Sequence, residues 1–415
     1  MNVLAELERW LPAGVREPVE RVGLFADERG LRCCLVGGPV RDLLLGEPGL
    51  DLDIVVEGNA VELAQALASA YGVRVVVHRD FGTATVEVGV AHIDLVTARA
   101  ETYERPGALP TVRPGTIEED LFRRDFSMNA MAVLLSRHGR GDIVDPHSGR
   151  RDLEHGILRV LHGGSFIDDA TRMLRGVRYE QRFGFSFDPC TLGLLGRDMH
   201  YLETISGDRV RHEFERTFDE AEPQYAFRRL DTLGALAAVD PALRFGADQA
   251  EALRDITDQR PASDSIRSAM WCVLGWYVAR EHIDRVAARL NLPRRILDPL
   301  KDCAYLRSVE KALAADSIRP SQVVSFLSER STAALLAARR MLAHPSARER
   351  VNDYLEHLRF VRTSVNGTTL IEMGFPQGPS LGHVLERIRA ARLDGEVSSR
   401  AEELQLARSL QEDMS

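Results

Sequence analysis

The stretch LVGGPVRDLLLGEPGLDLD, residues 35–53, decides how this chain is read. An apolar run over 31–36 predicts a strand and ends in Gly37 and Gly38, where backbone N–H groups can turn toward phosphate oxygens. Residues 40–45 predict a short helix and 51–57 a second strand. Asp51 and Asp53 stand two apart at the head of that strand, and residues two apart on a strand point to one face. Their carboxylates are expected to converge, and converging carboxylates suit Mg²⁺. Two such ions can activate a hydroxyl and stabilise a pyrophosphate leaving group.

Outward from this stretch the pattern is mixed, then uniform. Residues 2–28 read as one or two helices, with Leu4, Leu7 and Leu11 at helical spacing. Asn59 is a natural N-cap for a helix over 60–71, with Glu62 completing a capping-box-like pair. Three β-rich runs follow over 73–78, 83–88 and 92–97. Residues 104–116 hold three prolines and two glycines and read as a loop, after which a helix begins near Ile117. From about residue 165 the β-type runs vanish. Helical periodicity recurs around 191–203, 208–219, 224–238, 248–257, 264–280, 283–291, 294–313, 320–327, 331–342 and 346–360, with no fixed repeat period. The expected fold class is α+β: an N-terminal domain with a small mixed sheet, followed by an elongated all-α remainder.

Composition narrows the class. The 415 residues are 44% hydrophobic and 28% charged, as in a globular protein of two to four domains. No apolar run approaches a membrane span, and the N-terminus lacks a signal-peptide pattern, so a cytoplasmic location is expected. The five cysteines form no C-x-x-C pair and read as structural thiols; the histidines show no zinc spacing. A net charge of −9 gives no general affinity for polyanions, so a nucleic-acid partner needs a local basic stripe. The basic residues are almost all arginine, lysine occurring only at Lys301 and Lys311.

Three further groups carry chemistry. Asp94, in the run 92–96, is a candidate third carboxylate beside Asp51 and Asp53. Arg123, Arg124 and Asp125 are consecutive; arginine offers forked donors to phosphate oxygens, and aspartate accepts from ribose hydroxyls. Residues 165–178 read as a helix start, with Ser165 as cap and Asp168 as its box partner. Asp169 and Arg172 are three apart and expected on one helix face, continued by Arg175, Arg178 and Arg182. A solvated ion pair on a basic helix face is the plain alternative. An acceptor and a donor side by side could instead meet the Watson–Crick edge of a base.

Together these residues resemble the class II tRNA nucleotidyltransferase family, which comprises CCA-adding enzymes, their CC-adding and A-adding relatives, and bacterial poly(A) polymerases. Gly37-Gly38-Pro39-Val40-Arg41-Asp42 with Asp51 and Asp53 is similar to its first motif, and Arg123 through Asn129 and Ala130 to its second. Asp145-Pro146-His147-Ser148-Gly149, with Asp152 and Arg159, is similar to its flexible segment between head and neck. Asp168-Asp169-Ala170-Thr171-Arg172 resembles the motif that selects the incoming base, and Gly207 through Glu213 the fifth, helix-stabilising motif. The family's base-selecting motif usually begins Glu-Asp; here it begins Asp168-Asp169, which bears on discrimination between CTP and ATP.

The resemblance implies a head over 1–164, a neck over 165–207, a helical body over 208–310 and a helical tail over 311–415. It implies Mg²⁺ on Asp51, Asp53 and Asp94. Gly37, Gly38, Arg41, Arg175 and Arg178 would hold the triphosphate. Arg124, Asp125 and Asn129 would lie at the sugar and phosphates, with Asp125 on the ribose 2′-OH. Asp169 and Arg172 would pair with CTP or ATP. The partner would be tRNA, held by its acceptor and T arms, with Arg387, Arg389 and Arg392 as candidate contacts; no membrane or protein partner is implied. The loop over 105–110 falls where the family carries an element linked to the switch from C to A. The implied activity is untemplated addition of C, A or both to the tRNA 3′ end, the alternatives being a poly(A) polymerase and a catalytically silent tRNA-binding relative.

Overall fold

The computed structural model describes residues 1–49, 51–78, 82–102, 104, 105, 107, 110–258 and 263–413, without the side chains of Asp51 and Asp413. The chain divides into two compact units: Met1–Glu213 with Leu233–Ala238, and Phe214–Thr232 with Val239–Ser415.

The first unit is built on a sheet. Its strands in chain order are β1 (Cys33–Val36), β2 (Asp51–Val56), β3 (Val75–His78), β4 (Thr83–Val88) and β5 (Ala91–Thr97). Then come β6 (Arg99–Thr102), β7 (Thr111–Pro114), β8 (Ala132–Leu134), β9 (Ile143–Val144), β10 (Ile157–Leu158) and β11 (Ser186–Phe187). Seven of them form one sheet in the order β3-β4-β5-β2-β1-β8-β9. Only the β2–β5 pair in it is parallel, with Asp51 opposite His92 and Asp53 opposite Asp94. The helix Ala60–Tyr71 makes the crossover, as parallel pairing requires. Asn59 caps it by accepting from the N–H groups of Val61 and Glu62 at 3.1 and 3.3 Å, as its sequence position predicts. Leu52, Ile54, Val55 and Val56 are all buried, so β2 is covered on both faces and reads as a continuous apolar run. The helix Ile117–Phe122 packs Ile117 and Leu121 against Cys34, Val36, Val55 and Ala132.

Two expectations change. The Pro/Gly-rich stretch 104–116 is not all loop: Thr111–Pro114 pairs antiparallel with Arg99–Thr102, because a two-stranded ribbon tolerates proline where no central ladder bond is needed. Residues 106, 108 and 109 of the 105–110 loop lie outside the described residues. The β-pattern also does not end at 165, since Ser186–Phe187 pairs in parallel with Ile157–Leu158. Two residues are too few to leave a periodic signal.

The second unit is helical among its described residues, and its elements follow the predicted helical runs closely. Phe214, Phe218, Phe227, Phe245 and Trp271 form an aromatic core of tilted and edge-on ring pairs. Gln249 is fully buried with its amide satisfied: it donates to the carbonyls of Val273 and Leu274 at 2.8 and 3.2 Å and accepts from the Gly246 N–H at 2.9 Å. Further along, Val365, Leu370, Phe375, Val384, Ile388 and Ala407 make a separate cluster that includes the last helix, Arg400–Asp413.

Candidate active site

The carboxylates come first. The β2–β5 register sets Asp53 directly beside Asp94 on neighbouring parallel strands, both partly exposed. The Thr85 hydroxyl donates to Asp94, and His92 Nε2 lies 3.9 Å from the same oxygen. Asp51 heads β2 by backbone, while its side chain lies outside the described residues. Among the described residues no three His, Cys, Asp or Glu side chains form a metal-sized group. The donors present are hard carboxylate oxygens, the chemistry that fits Mg²⁺ rather than a thiophilic metal.

The glycine turn follows. Gly37 has φ +73°, and a Cβ there would sit 2.4 Å from Arg124 Nη1, so only glycine admits the guanidinium at this distance. The Gly37 N–H is already committed to the Met131 carbonyl at 3.1 Å. Of the two glycines expected to face phosphate, Gly38 is the one whose N–H, at the first position of the helix Gly38–Leu45, is not used by the helix itself.

Arg123 and Arg124 are held by Asp120, an acid that sequence reasoning passed over although it stands three and four residues before them. Asp120 is fully buried and pairs with Arg123 at 2.7 Å and Arg124 at 3.0 Å. Burial pushes its carboxyl up, but the two arginines outweigh that and hold it below the usual range. Asp125 is also buried. Its Oδ1 accepts from the Phe126 N–H at 2.8 Å and Asn129 Nδ2 at 3.0 Å, and Arg175 lies 2.7 Å from Oδ2. Against the upward push of burial, Arg175, Asn129 and the Phe126 amide keep this carboxyl depressed; Asp125 in turn raises Arg175. Asn129 Oδ1 accepts from Arg41 at 2.8 Å, and Arg41 also bonds Asp42 at 2.8 Å. A polar chain thus runs Asp42–Arg41–Asn129–Asp125–Arg175, from the glycine turn to the helix Thr171–Phe183.

Neighbouring bonds brace the same region. Ser127 Oγ donates to Asp152 at 2.6 Å, and Arg159 binds Asp152 and Asp188 at 3.0 and 2.7 Å. The Gly149 and Arg150 N–H groups donate to Asp145. Gly149 permits a backbone approach to the Ser127 carbonyl that a Cβ would fill, at 2.0 Å.

The segment 165–178 differs from the expected helix. Ser165 is not the cap: Gly164 takes that position before a one-turn helix, Ser165–Asp168, and the Ser165 hydroxyl accepts from Arg172 at 2.6 Å. Asp169 is extended, with ψ 98°, and the long helix starts at Thr171. Asp169 and Arg172 therefore do not share a helix face. Asp169, one residue before the N-cap Ala170, accepts from the Thr171 N–H at 2.9 Å and pairs with Arg209 at 2.7 Å. Arg172 is buried and also donates to the Arg123 carbonyl at 2.7 Å. Together with Asp168, Phe122, Arg123 and His162 it lines a cleft of about 420 Å³. Phe122 is 51% exposed and stacks on His162 at 5.2 Å. Burial raises the Asp168 carboxyl, opposed by His162 at 3.6 Å, while burial lowers the imidazoles of His162 and His147. Arg178 pairs with Glu213 at 3.5 Å. Asp120, Arg209, Asp42 and Glu213 are partners that only i,i+3 and i,i+4 spacing at Asp120 could have signalled in advance.

Comparison with known proteins adds the family. Residues 33–159 match the model described as "Poly A polymerase head domain", and 184–245 that described as "Probable RNA and SrmB- binding site of polymerase A". A CCA-adding enzyme of Latilactobacillus sakei subsp. sakei is 30% identical over 86% of this chain and 88% of its own length. The chain belongs to the tRNA nucleotidyltransferase family. Another family member, an A-adding tRNA nucleotidyltransferase of Geobacter sulfurreducens, is 31% identical over 98% of this chain but only 48% of its own length. The chain thus spans about half of that relative. Among solved structures, one titled as the apo form II of a CCA-adding enzyme superposes with TM-score 0.87 at 30% identity, covering 99% of both chains. The α+β class expected from sequence is the fold of this family. Among the described residues no helix is long and apolar enough to cross a membrane.

Proposed function

We propose that the chain adds C, A or both to the 3′ end of tRNA from CTP and ATP, releasing pyrophosphate. The observation that carries this reading is the register of Asp53 beside Asp94, next to a glycine turn and an arginine–aspartate chain. Asp51, Asp53 and Asp94 would hold Mg²⁺, which when bound lowers the pKa of a hydroxyl and offsets charge on a leaving pyrophosphate. The chain's own groups do the rest. The Gly38 N–H, at the start of its helix, and Arg124, beside the Gly37 turn, would meet phosphate oxygens. Asp125 and Asn129 support the sugar side. Arg172, turned into its cleft, supplies a donor to a base edge, with Asp169 released from Arg209 as acceptor. Untemplated choice of nucleotide then rests on protein hydrogen bonds where a template strand would stand. A cytoplasmic location fits action on tRNA.

A narrower reading, addition of the terminal A alone, is supported by relatives named A-adding, including a Halalkalibacterium halodurans protein 41% identical over 58% of this chain. Offering tRNA ending at the discriminator base, at C and at CC, with CTP and ATP singly and together, tests both. Extension of only the CC-ended RNA by ATP establishes the narrower one. Extension of generic RNA with ATP alone would make the chain a poly(A) polymerase, and binding of tRNA without any extension a silent relative.

A further inference from the structure

Tyr179 gathers more charge than any other ring among the described residues. It is buried at 7% exposure in the helix Thr171–Phe183, and three guanidinium groups approach it: Arg178 at 4.8 Å from the centroid, Arg41 at 5.7 Å and Arg175 at 6.0 Å. Arg175 also donates to its hydroxyl at 3.3 Å. Each guanidinium keeps its own carboxylate: Asp42 for Arg41, Asp125 for Arg175 and Glu213 for Arg178. Phe183, one turn on, takes the other contact with Arg41 at 4.7 Å. The Arg41 side chain is 7% exposed, too enclosed to serve as a free phosphate ligand. Its orientation is instead fixed by two ring faces and the Asn129 carbonyl oxygen.

We propose that Tyr179 is a positioning residue: its ring ties Arg41, and with it the glycine turn, to the helix that carries Arg172 and Arg175, and so sets the spacing between the phosphate-holding and base-reading parts of the site. An aromatic face does this where an aliphatic one would not, because its quadrupole attracts several cations that would otherwise repel one another. The inference rests on the nucleotide-adding function proposed above. A spacing error affects the correct and the incorrect base unequally, so selectivity is the property at stake.

The test uses the full chain with Tyr179→Leu, Tyr179→Phe and Phe183→Leu. First, hydrogen–deuterium exchange is read without nucleotide. In Tyr179→Leu, exchange over 37–45 should rise at least about fivefold while 33–36 is unchanged, since the cation–π contacts are lost. Tyr179→Phe should match the wild type. Second, the ratio of kcat/KM for CTP or ATP to that for UTP or GTP on tRNA should fall about tenfold in Tyr179→Leu and less in Phe183→Leu, and stay within about twofold in Tyr179→Phe. A loss of folded enzyme scales every substrate alike and leaves that ratio untouched. Unchanged exchange over 37–45, or a wild-type ratio in both leucine variants, overturns the proposal. If Tyr179→Leu does not fold, Phe183→Leu carries both readouts: faster exchange over 37–45 with a lower ratio supports the tie, and wild-type values in either overturn it. Wild-type protein that extends no RNA would overturn the proposed function instead, and the exchange result would still decide whether the ring ties the turn.

Discussion

Two arginine-rich helices, Thr171–Phe183 and Pro379–Leu393, look alike in sequence and are unlike in structure. In the first, Arg172 and Arg178 are buried, and the partners of Arg175 and Arg178 are buried acids. In the second, Arg387 meets Glu396 with both side chains nearly half exposed, while Arg392 reaches the fully buried Glu403. Glu403 also accepts from the N–H groups of Ser364 and Val365 at 2.7 and 2.8 Å. The number of arginines on a helix therefore says little. The burial of the carboxylate that each one meets decides whether the pair fixes geometry or only decorates the surface.

The largest effect should come from the carboxylates that neither helix supplies. If Asp53 holds the metal as proposed, Asp53→Ala is expected to cut nucleotide incorporation by about a thousandfold while tRNA binding by filter retention is unchanged, because the charge removed would act on the reacting groups alone. Incorporation at near wild-type rate would break the active-site assignment.

Next is Asp125→Ala, which leaves Arg175 without its acid and should destabilise the first unit by about 3 kcal/mol in denaturant titration. Its pH counterpart has a definite sign. Asp120 and Asp125 are held below the ordinary carboxylate range in the fold, so their stabilisation is complete above about pH 4 and is lost as the pH falls further. His147 and His162 are also lowered, so a milder loss should begin as the pH drops below about 6.5.

Within the second helix the comparison sharpens. Arg392→Ala should cost about 1–2 kcal/mol, because Glu403 stays buried with only backbone donors. Arg387→Ala should cost less than about 0.5 kcal/mol, as an exposed pair does. Equal losses would contradict the burial argument. If Arg387, Arg389 and Arg392 also touch RNA, replacing all three should weaken tRNA affinity and flatten its salt dependence.

Much of this was legible beforehand, for identifiable reasons. The strands around Asp53 and Asp94 show because β-branched runs bounded by turn residues leave a local signal, and Asn59 shows because capping is local chemistry. The helices of the second unit show through their periodicity. What stayed hidden depends on distant or very short pairings. The ribbon of β6 and β7 hides behind Pro110 and Pro114, and β10 and β11 are two residues each. The break at Asp169 hides because the four-residue helix before it is too short to show a periodicity of its own and runs almost directly into the long helix after it. The chain from Arg41 through Asn129 spans 88 residues, and no periodicity reports such a bond.

At Gly37 a missing methyl group is a piece of machinery. The volume that a side chain at 37 would enter is already taken by the Arg124 guanidinium, so a larger residue there requires that side chain to move. Alanine at 37 would have to adopt φ +73° at a cost of about 1–2 kcal/mol and also displace that cation. Shortening Arg124 in the same molecule should relieve the collision but leave the backbone strain and the loss of incorporation, which would separate the two duties of the absent side chain: letting the backbone turn and letting a charge reach that turn.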